Sequence, residues 1–284
     1  MNNTESTLYS VLLVLRAHHH ASLPATTGHL IHAMFHQLLT RIDPALSVQL
    51  HQESDHRPFT LSPLLGGSLT SDRVILTHGE TYRVRMTLFD GGYLWHCLST
   101  LFLEDGPCTV RLGEATLLLT RLISTTDATG WAGKTTWREL ASLPQAREIT
   151  LSFTSPTAFH TNGRSFVLVP EPRLVWGSLI STWNRHAPAS LSLSRAELSE
   201  ILTNEVTILS CDLSTCTQHY PKYPQKGFLG TCTYRLPEKE THAAQLTGLA
   251  TFAHFAGVGY KTTMGMGQVR REGEKTLPQE AEKP

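Results

Sequence analysis

Net charge is the first thing this chain lacks. Its 24 Lys and Arg are matched by 24 Asp and Glu, so the molecule has no overall field to draw in a polyanion, and any such site has to be local. Cysteine is scarce, odd in number and scattered: Cys97, Cys108, Cys211, Cys216 and Cys232 argue against a disulfide framework and fit a reducing compartment, by default the cytoplasm. Cys211 and Cys216 have no second matching pair, so they do not spell a zinc site and are expected to be structural. Long apolar runs are missing as well. Val11–Leu15 is too short to span a bilayer and has neither a basic leader nor a small-residue cleavage site, so it is expected as a buried strand, with no membrane or targeting segment.

What is present is enough apolar material, 40% of the chain, for one large core or two ordinary ones. Strand patterns over 9–17, 73–77, 81–88 and 115–123 alternate with helical patterns over 28–42 and 92–103. Ser22-Leu23-Pro24 is expected to break the first strand and Pro44 to end the first helix. After Leu143-Pro144 the order begins again: strand 148–153, helix 173–185, strands 206–211 and 228–235, helix 241–255. The expectation is an α+β fold with units at 1–143 and 144–271, followed by a charged, disordered tail at 272–284.

Acidic residues are absent from Thr241 to Arg271, while Lys261, Arg270 and Arg271 are present. Within that segment Gly257-Val258-Gly259 is followed after five residues by Gly265-Met266-Gly267. Such glycines let the backbone turn tightly and bring N–H groups to a ligand, phosphate being the natural one. No Gly-Lys-Ser/Thr ending follows, and no acid stands about twenty positions on, so no nucleotide cofactor is expected.

His29, His32 and His36 share one helical face opposite Ile31, Met34, Phe35 and Leu38, so their imidazoles are expected to point away from the core. No cysteine or His-Glu-x-x-His pattern completes a zinc site there. Imidazole suits proton transfer near neutrality. His18-His19-His20 is assigned to a loop. Trp131 and Trp137 are open to two uses, stacking on bases or packing between the units.

The doubled glycine loop with Lys261 inside it resembles the signature of the RAMP-superfamily endoribonucleases that process precursor CRISPR RNA. Thr154-Ser155-Pro156-Thr157, Val169-Pro170-Glu171-Pro172 and Ser178–Asn184 are similar to that family's second domain, and Arg57–Leu64 to its first. Together the similarity spans most of residues 8–270. It implies two tandem ferredoxin-like (RAMP/RRM-like) domains and a CRISPR repeat RNA partner. It also implies metal-independent cleavage by 2′-hydroxyl attack, yielding mature CRISPR RNA. The same resemblance makes His51, in Leu50-His51-Gln52-Glu53, the first catalytic candidate. His32 and His29 are implied as partner acid or orienting groups, Arg57 as the charge stabiliser, and Gly257, Gly259, Lys261, Gly265, Gly267 and Arg270 as RNA-binding. A tyrosine that accompanies the histidine in some relatives has no obvious counterpart, and Arg57 stands where they have lysine. The rival reading is a non-catalytic subunit of that superfamily, binding CRISPR RNA within an effector complex of other proteins.

Overall fold

A computed structural model describes residues 6–52, 57–89, 92–161 and 165–273, without the side chains of Gln49, His51, Gln52, Glu104 and Asp105. The first half runs β1 (Thr7–Ala17), β2 (Ala21–Pro24), α1 (Gly28–Ile42), α2 (Pro44–Gln52), β3 (Phe59–Leu61), β4 (Ser68–Leu69), β5 (Arg73–Leu76) and β6 (Thr81–Leu88). It continues through α3 (Tyr93–Asp105), β7 (Cys108–Leu112), β8 (Ala115–Ile123), β9 (Gly133–Thr136) and α4 (Trp137–Ala141). The second half runs β10 (Glu148–Thr157), β11 (Phe159–His160), β12 (Phe166–Val167), α5 (Pro172–His186), α6 (Arg195–Asn204), β13 (Thr207–His219), β14 (Pro224–Arg235), α7 (Glu240–Ala256) and β15 (Val269–Arg271).

The second half is a βαββαβ unit whose antiparallel sheet runs β13-β14-β10-β15. The first half repeats that order with additions, as β3-β6-β1-β8-β7, and β9 pairs with the start of β1. This is the tandem ferredoxin-like α+β fold expected from the sequence. β1 is central to its sheet, with β6 on one side and β8 on the other, and Val11, Leu12, Leu13, Val14 and Leu15 are buried on both of its faces. Ile31, Met34, Phe35, Leu38 and Leu39 recur at helical spacing along α1 and bury against that sheet.

A second core gathers Phe153, Trp176, Trp183, Phe228, Tyr234, Phe252 and Phe255, and it also takes in Leu8, Phe89, Trp137 and Leu140 from the first half. The halves are joined through polar groups too. Arg85 on β6 donates to the carbonyl of His254 and to Gln268 Oε1 (2.7 Å), and Thr87 Oγ1 donates to the Phe255 carbonyl. The last carbonyls of α7 are thus capped by the opposite unit.

Three local expectations are corrected. Ser22-Leu23-Pro24 lies within β2, which pairs with β5, because Pro24 is the last residue of the strand and donates nothing to the ladder there. Pro44 opens α2 instead of only ending α1, since its missing N–H costs nothing at a first helical position. Cys211 and Cys232 face each other across the β13–β14 ladder and form a disulfide; strand pairing brings together cysteines 21 residues apart. Among the described residues no helix is long and apolar enough to cross a membrane. Of the expected tail, positions 274–284 lie outside the described residues.

Candidate active site

Helical spacing puts His29, His32 and His36 on one face of α1, but that face does not look out to water. β3 and the glycine loop cover it, and His32 is only 8% exposed. The expected outward orientation is therefore corrected: tertiary packing, invisible to helical periodicity, supplies a second wall. The His32 ring lies nearly parallel to Phe59 at 6.3 Å and edge-on to His36 at 4.6 Å.

Both ring nitrogens of His32 are engaged. Nε2 is 3.2 Å from Arg57 Nη1, and Nδ1 is 3.2 Å from the Thr263 carbonyl. A guanidinium only donates and a carbonyl only accepts. The Thr263 carbonyl accepts from Nδ1, and the Arg57 guanidinium lies against the Nε2 edge. His32 thereby sits against Arg57 and orients it.

His29 is half-buried and meets Tyr220 edge-on at 6.1 Å. Its pKa is lowered, first by burial and then by the charge of Lys261. His51 lies in the last turn of α2, which folds back along α1: Ser47 Oγ donates to the His36 carbonyl, and Thr40 Oγ1 donates to Ser47 Oγ. The His51 side chain lies outside the described residues.

Lys261 has a left-handed backbone (φ 59°) between the two glycine pairs. Its ammonium sits 4.4 Å from the ring centre of Tyr220, 5.1 Å from Tyr223 and 5.4 Å from Tyr260. These tyrosines went unnoticed in the sequence. Two come from the turn joining β13 to β14, tied to the residues before α1 by the His219 amide, which donates to Thr26 Oγ1 at 2.8 Å. The signal was there in Tyr260 adjoining Lys261, and in Tyr220-Pro221-Lys222-Tyr223 between two strands. Burial raises the pKa of Tyr220 and of Tyr260, whereas a hydrogen bond to Lys261 lowers that of Tyr223.

The amides of the four loop glycines each have an acceptor within the protein. Gly257 donates to Ala253 O (2.9 Å), Gly259 to Ser178 Oγ (3.0 Å), Gly265 to Leu61 O (3.1 Å) and Gly267 to Pro156 O (3.0 Å). In this structure the four N–H groups expected to meet RNA are all held by protein acceptors. Absent side chains let the loop thread between main chains: a β-carbon on Gly259 would lie 2.5 Å from Ala158 O, and one on Gly267 would overlap Val258 O. What the loop offers outward is Lys261.

Arg270, on β15, is exposed; it stacks over Trp131 at 5.0 Å and reaches Thr129 O at 3.4 Å. It lines a cavity of about 480 Å³ with Asp127, Thr129 and His254. Trp137 is buried in the second core, and Trp131 stacks on His254 at 5.5 Å, so both indoles pack at the junction of the halves. His18, His19 and His20 lie outside the strands, as expected. Among the described residues no group of three or more His, Cys, Asp or Glu is placed to hold a metal ion.

Residues 151–269 match the family model described as CRISPR-associated endoribonuclease Cas6, and residues 8–142 match the Cas6 N-terminal domain. A Streptococcus thermophilus CRISPR-associated endoribonuclease Cas6 is 29% identical over 126 residues, 44% of this chain and 51% of that one. A Mycobacterium tuberculosis counterpart is 28% identical over 130 residues, 45% of this chain and 40% of that one. The chain thus aligns with about half the length, or less, of these two relatives. Solved structures match more completely. The product complex of a Thermus thermophilus Cas6 superposes with a TM-score of 0.80 at 30% identity, covering 94% of this chain and 99% of that one. A substrate-mimic complex of another Cas6 gives 0.70 at 27% identity, covering 94% and 100%.

Proposed function

Because this chain belongs to the Cas6 family of CRISPR-associated endoribonucleases, we propose that it cuts the repeats of precursor CRISPR RNA by internal attack, without a metal ion. RNA carries its own nucleophile, so the protein has to move two protons and offset charge on phosphorus. His29 takes the proton of the 2′-hydroxyl at the cut site; the depressed basicity that keeps it neutral leaves a lone pair available near pH 7. The freed oxygen bonds to the adjacent phosphorus. The bond to the 5′ oxygen breaks, and the leaving oxygen takes a proton from His51 at the end of α2. The products are a 2′,3′-cyclic phosphate and a 5′-hydroxyl. Arg57, aimed by His32, and Lys261, caged by tyrosines, offset the charge on the pentacovalent phosphorus.

One observation carries this reading: His32 bridges Arg57 of the first unit to Thr263 of the glycine loop of the second, with His29 and Lys261 alongside. That cluster joins two imidazoles and two cations at the meeting of the halves. A repeat RNA with deoxyribose at the cut site tests it, since the substituted strand should survive. Cutting of natural RNA should persist in EDTA, and His29→Ala should slow it by about 10²–10⁴. Cleavage of the deoxy strand at the same link, or loss of cutting in chelator with recovery on adding zinc or magnesium, would overturn the reaction.

A further inference from the structure

Beyond the histidine cluster, aromatic side chains continue across the surface. β11 and β12 form a short hairpin in which His160 and Phe166 stand opposite each other, so both project from one face. Their rings are 5.1 Å apart. Tyr260 of the glycine loop joins them, stacked on His160 at 5.9 Å with 28° between planes and 5.3 Å from Phe166. Tyr223 lies 6.1 Å from Tyr220, and the Lys261 ammonium sits 5.1 Å from the ring centre of Tyr223 and 5.4 Å from that of Tyr260. The ring series therefore leads from His29 and Tyr220 out to the hairpin.

These rings are not hidden as core residues would be. Tyr223 is 42% exposed, Phe166 is 36% exposed and His160 is exposed. A contiguous apolar patch left in water marks a contact surface. Charge selects the partner. The segments that build the patch, Ser152–Val169, Tyr220–Arg235 and Thr241–Arg271, contain no Asp or Glu. They do contain Lys222, Lys226 and Lys261. Flat aromatic faces beside cations, with no carboxylate in these segments, suit a polyanion with π faces of its own.

We propose that His160, Phe166, Tyr223 and Tyr260 form a stacking platform for unpaired nucleobases of the RNA strand, next to the link that is cut. The identity of the strand rests on the reading above; the stacking itself does not. Lys261 meets the phosphate joining a platform base to the reacting nucleotide, so the platform sets how the strand enters the histidine cluster.

The test uses the full chain and a short single-stranded oligoribonucleotide carrying 2-aminopurine, beside the same strand with abasic positions. The wild type should quench the 2-aminopurine and bind the abasic strand about tenfold more weakly. Phe166→Ala should lose a similar factor on the intact strand and almost nothing on the abasic one, and Phe166→Trp should restore it. His160→Ala repeats the measurement from the other strand of the hairpin, should Phe166→Ala perturb the fold. Equal affinity for intact and abasic strands, or no quenching by the wild type, would overturn the platform. A wild type that quenches yet cuts no repeat RNA keeps the platform and overturns the reaction; one that cuts but ignores abasic substitution does the reverse.

Discussion

Gly28, the first residue of α1, lies directly against the main chain of Met264 in the glycine loop, where a β-carbon would overlap the Met264 carbonyl. The obstacle is backbone, so no side chain can swing aside. Gly28→Ala should force α1 and the loop apart at a cost of about 1–3 kcal/mol. α1 carries His29 and His32, and the loop carries Thr263 and Lys261, so cleavage should fall further than the lost stability accounts for. Urea midpoints and single-turnover rates on repeat RNA measure the two effects; a variant with the wild-type rate would dissociate this contact from the site.

Lys261 also sets when His29 is available. Its charge disfavours the imidazolium, adding to the larger effect of burial, so both keep the His29 pKa below the ordinary 6.5. A base must be unprotonated to act, and cutting therefore declines as pH falls through that lowered pKa. Lys261→Met removes the smaller cause and leaves burial, so the acid limb of the pH–rate profile should move to higher pH while the overall rate drops. An acid limb that stays in place, or moves lower, would remove His29 from the role of base.

Much of this was legible because the periodic signals were strong. α1 (Gly28–Ile42), β6 (Thr81–Leu88) and β8 (Ala115–Ile123) are bounded where their apolar patterns begin and end. The spacing of the glycine pairs marked the loop, though not its use: whether a glycine amide faces a ligand or Leu61 O depends on what packs against it. Likewise the burial of His32 comes from Phe59 and Thr263, 27 and 231 positions away, and the Cys211–Cys232 pair comes from strand register. The tyrosines around Lys261 gather only because the β13–β14 turn reaches the start of α1. Local pattern names elements; long-range contact decides which faces meet.

His254 should make stability depend on pH. Burial above all, then the charges of Arg85 and Arg270, holds its pKa well below 6.5, so the folded protein keeps the ring neutral while the unfolded chain protonates normally. Between the folded and unfolded values the unfolded state binds more protons, so stability rises with pH and levels off above about 6.5. His29 acts in the same direction. His254→Phe should flatten the slope of unfolding free energy between about pH 5 and 6.5. A slope unchanged in the variant would assign the dependence to other groups.

Arg85 holds the two halves together, and among the described residues no carboxylate is one of its hydrogen-bond partners. Its side chain is fully buried, 4.9 Å over Trp131, and donates to Ser10 Oγ (2.9 Å), Gln268 Oε1 (2.7 Å) and the His254 carbonyl. Burial lowers its pKa to about 9, which still leaves it cationic at neutral pH. A cation at the C-terminal end of α7 meets the negative end of the helix dipole, and neutral acceptors provide the remaining solvation. Arg85→Met keeps the apolar stem but strands buried acceptors, each costing about 1–3 kcal/mol. Thr87 caps the next carbonyl, that of Phe255, from the same strand. Once Arg85→Met has loosened that helix end, adding Thr87→Val should cost less than it does alone, with a coupling of about 0.5–3 kcal/mol. A double-mutant cycle on urea midpoints measures it; strict additivity would mean that the two side chains cap α7 independently and that the joint between the halves is not a cooperative one.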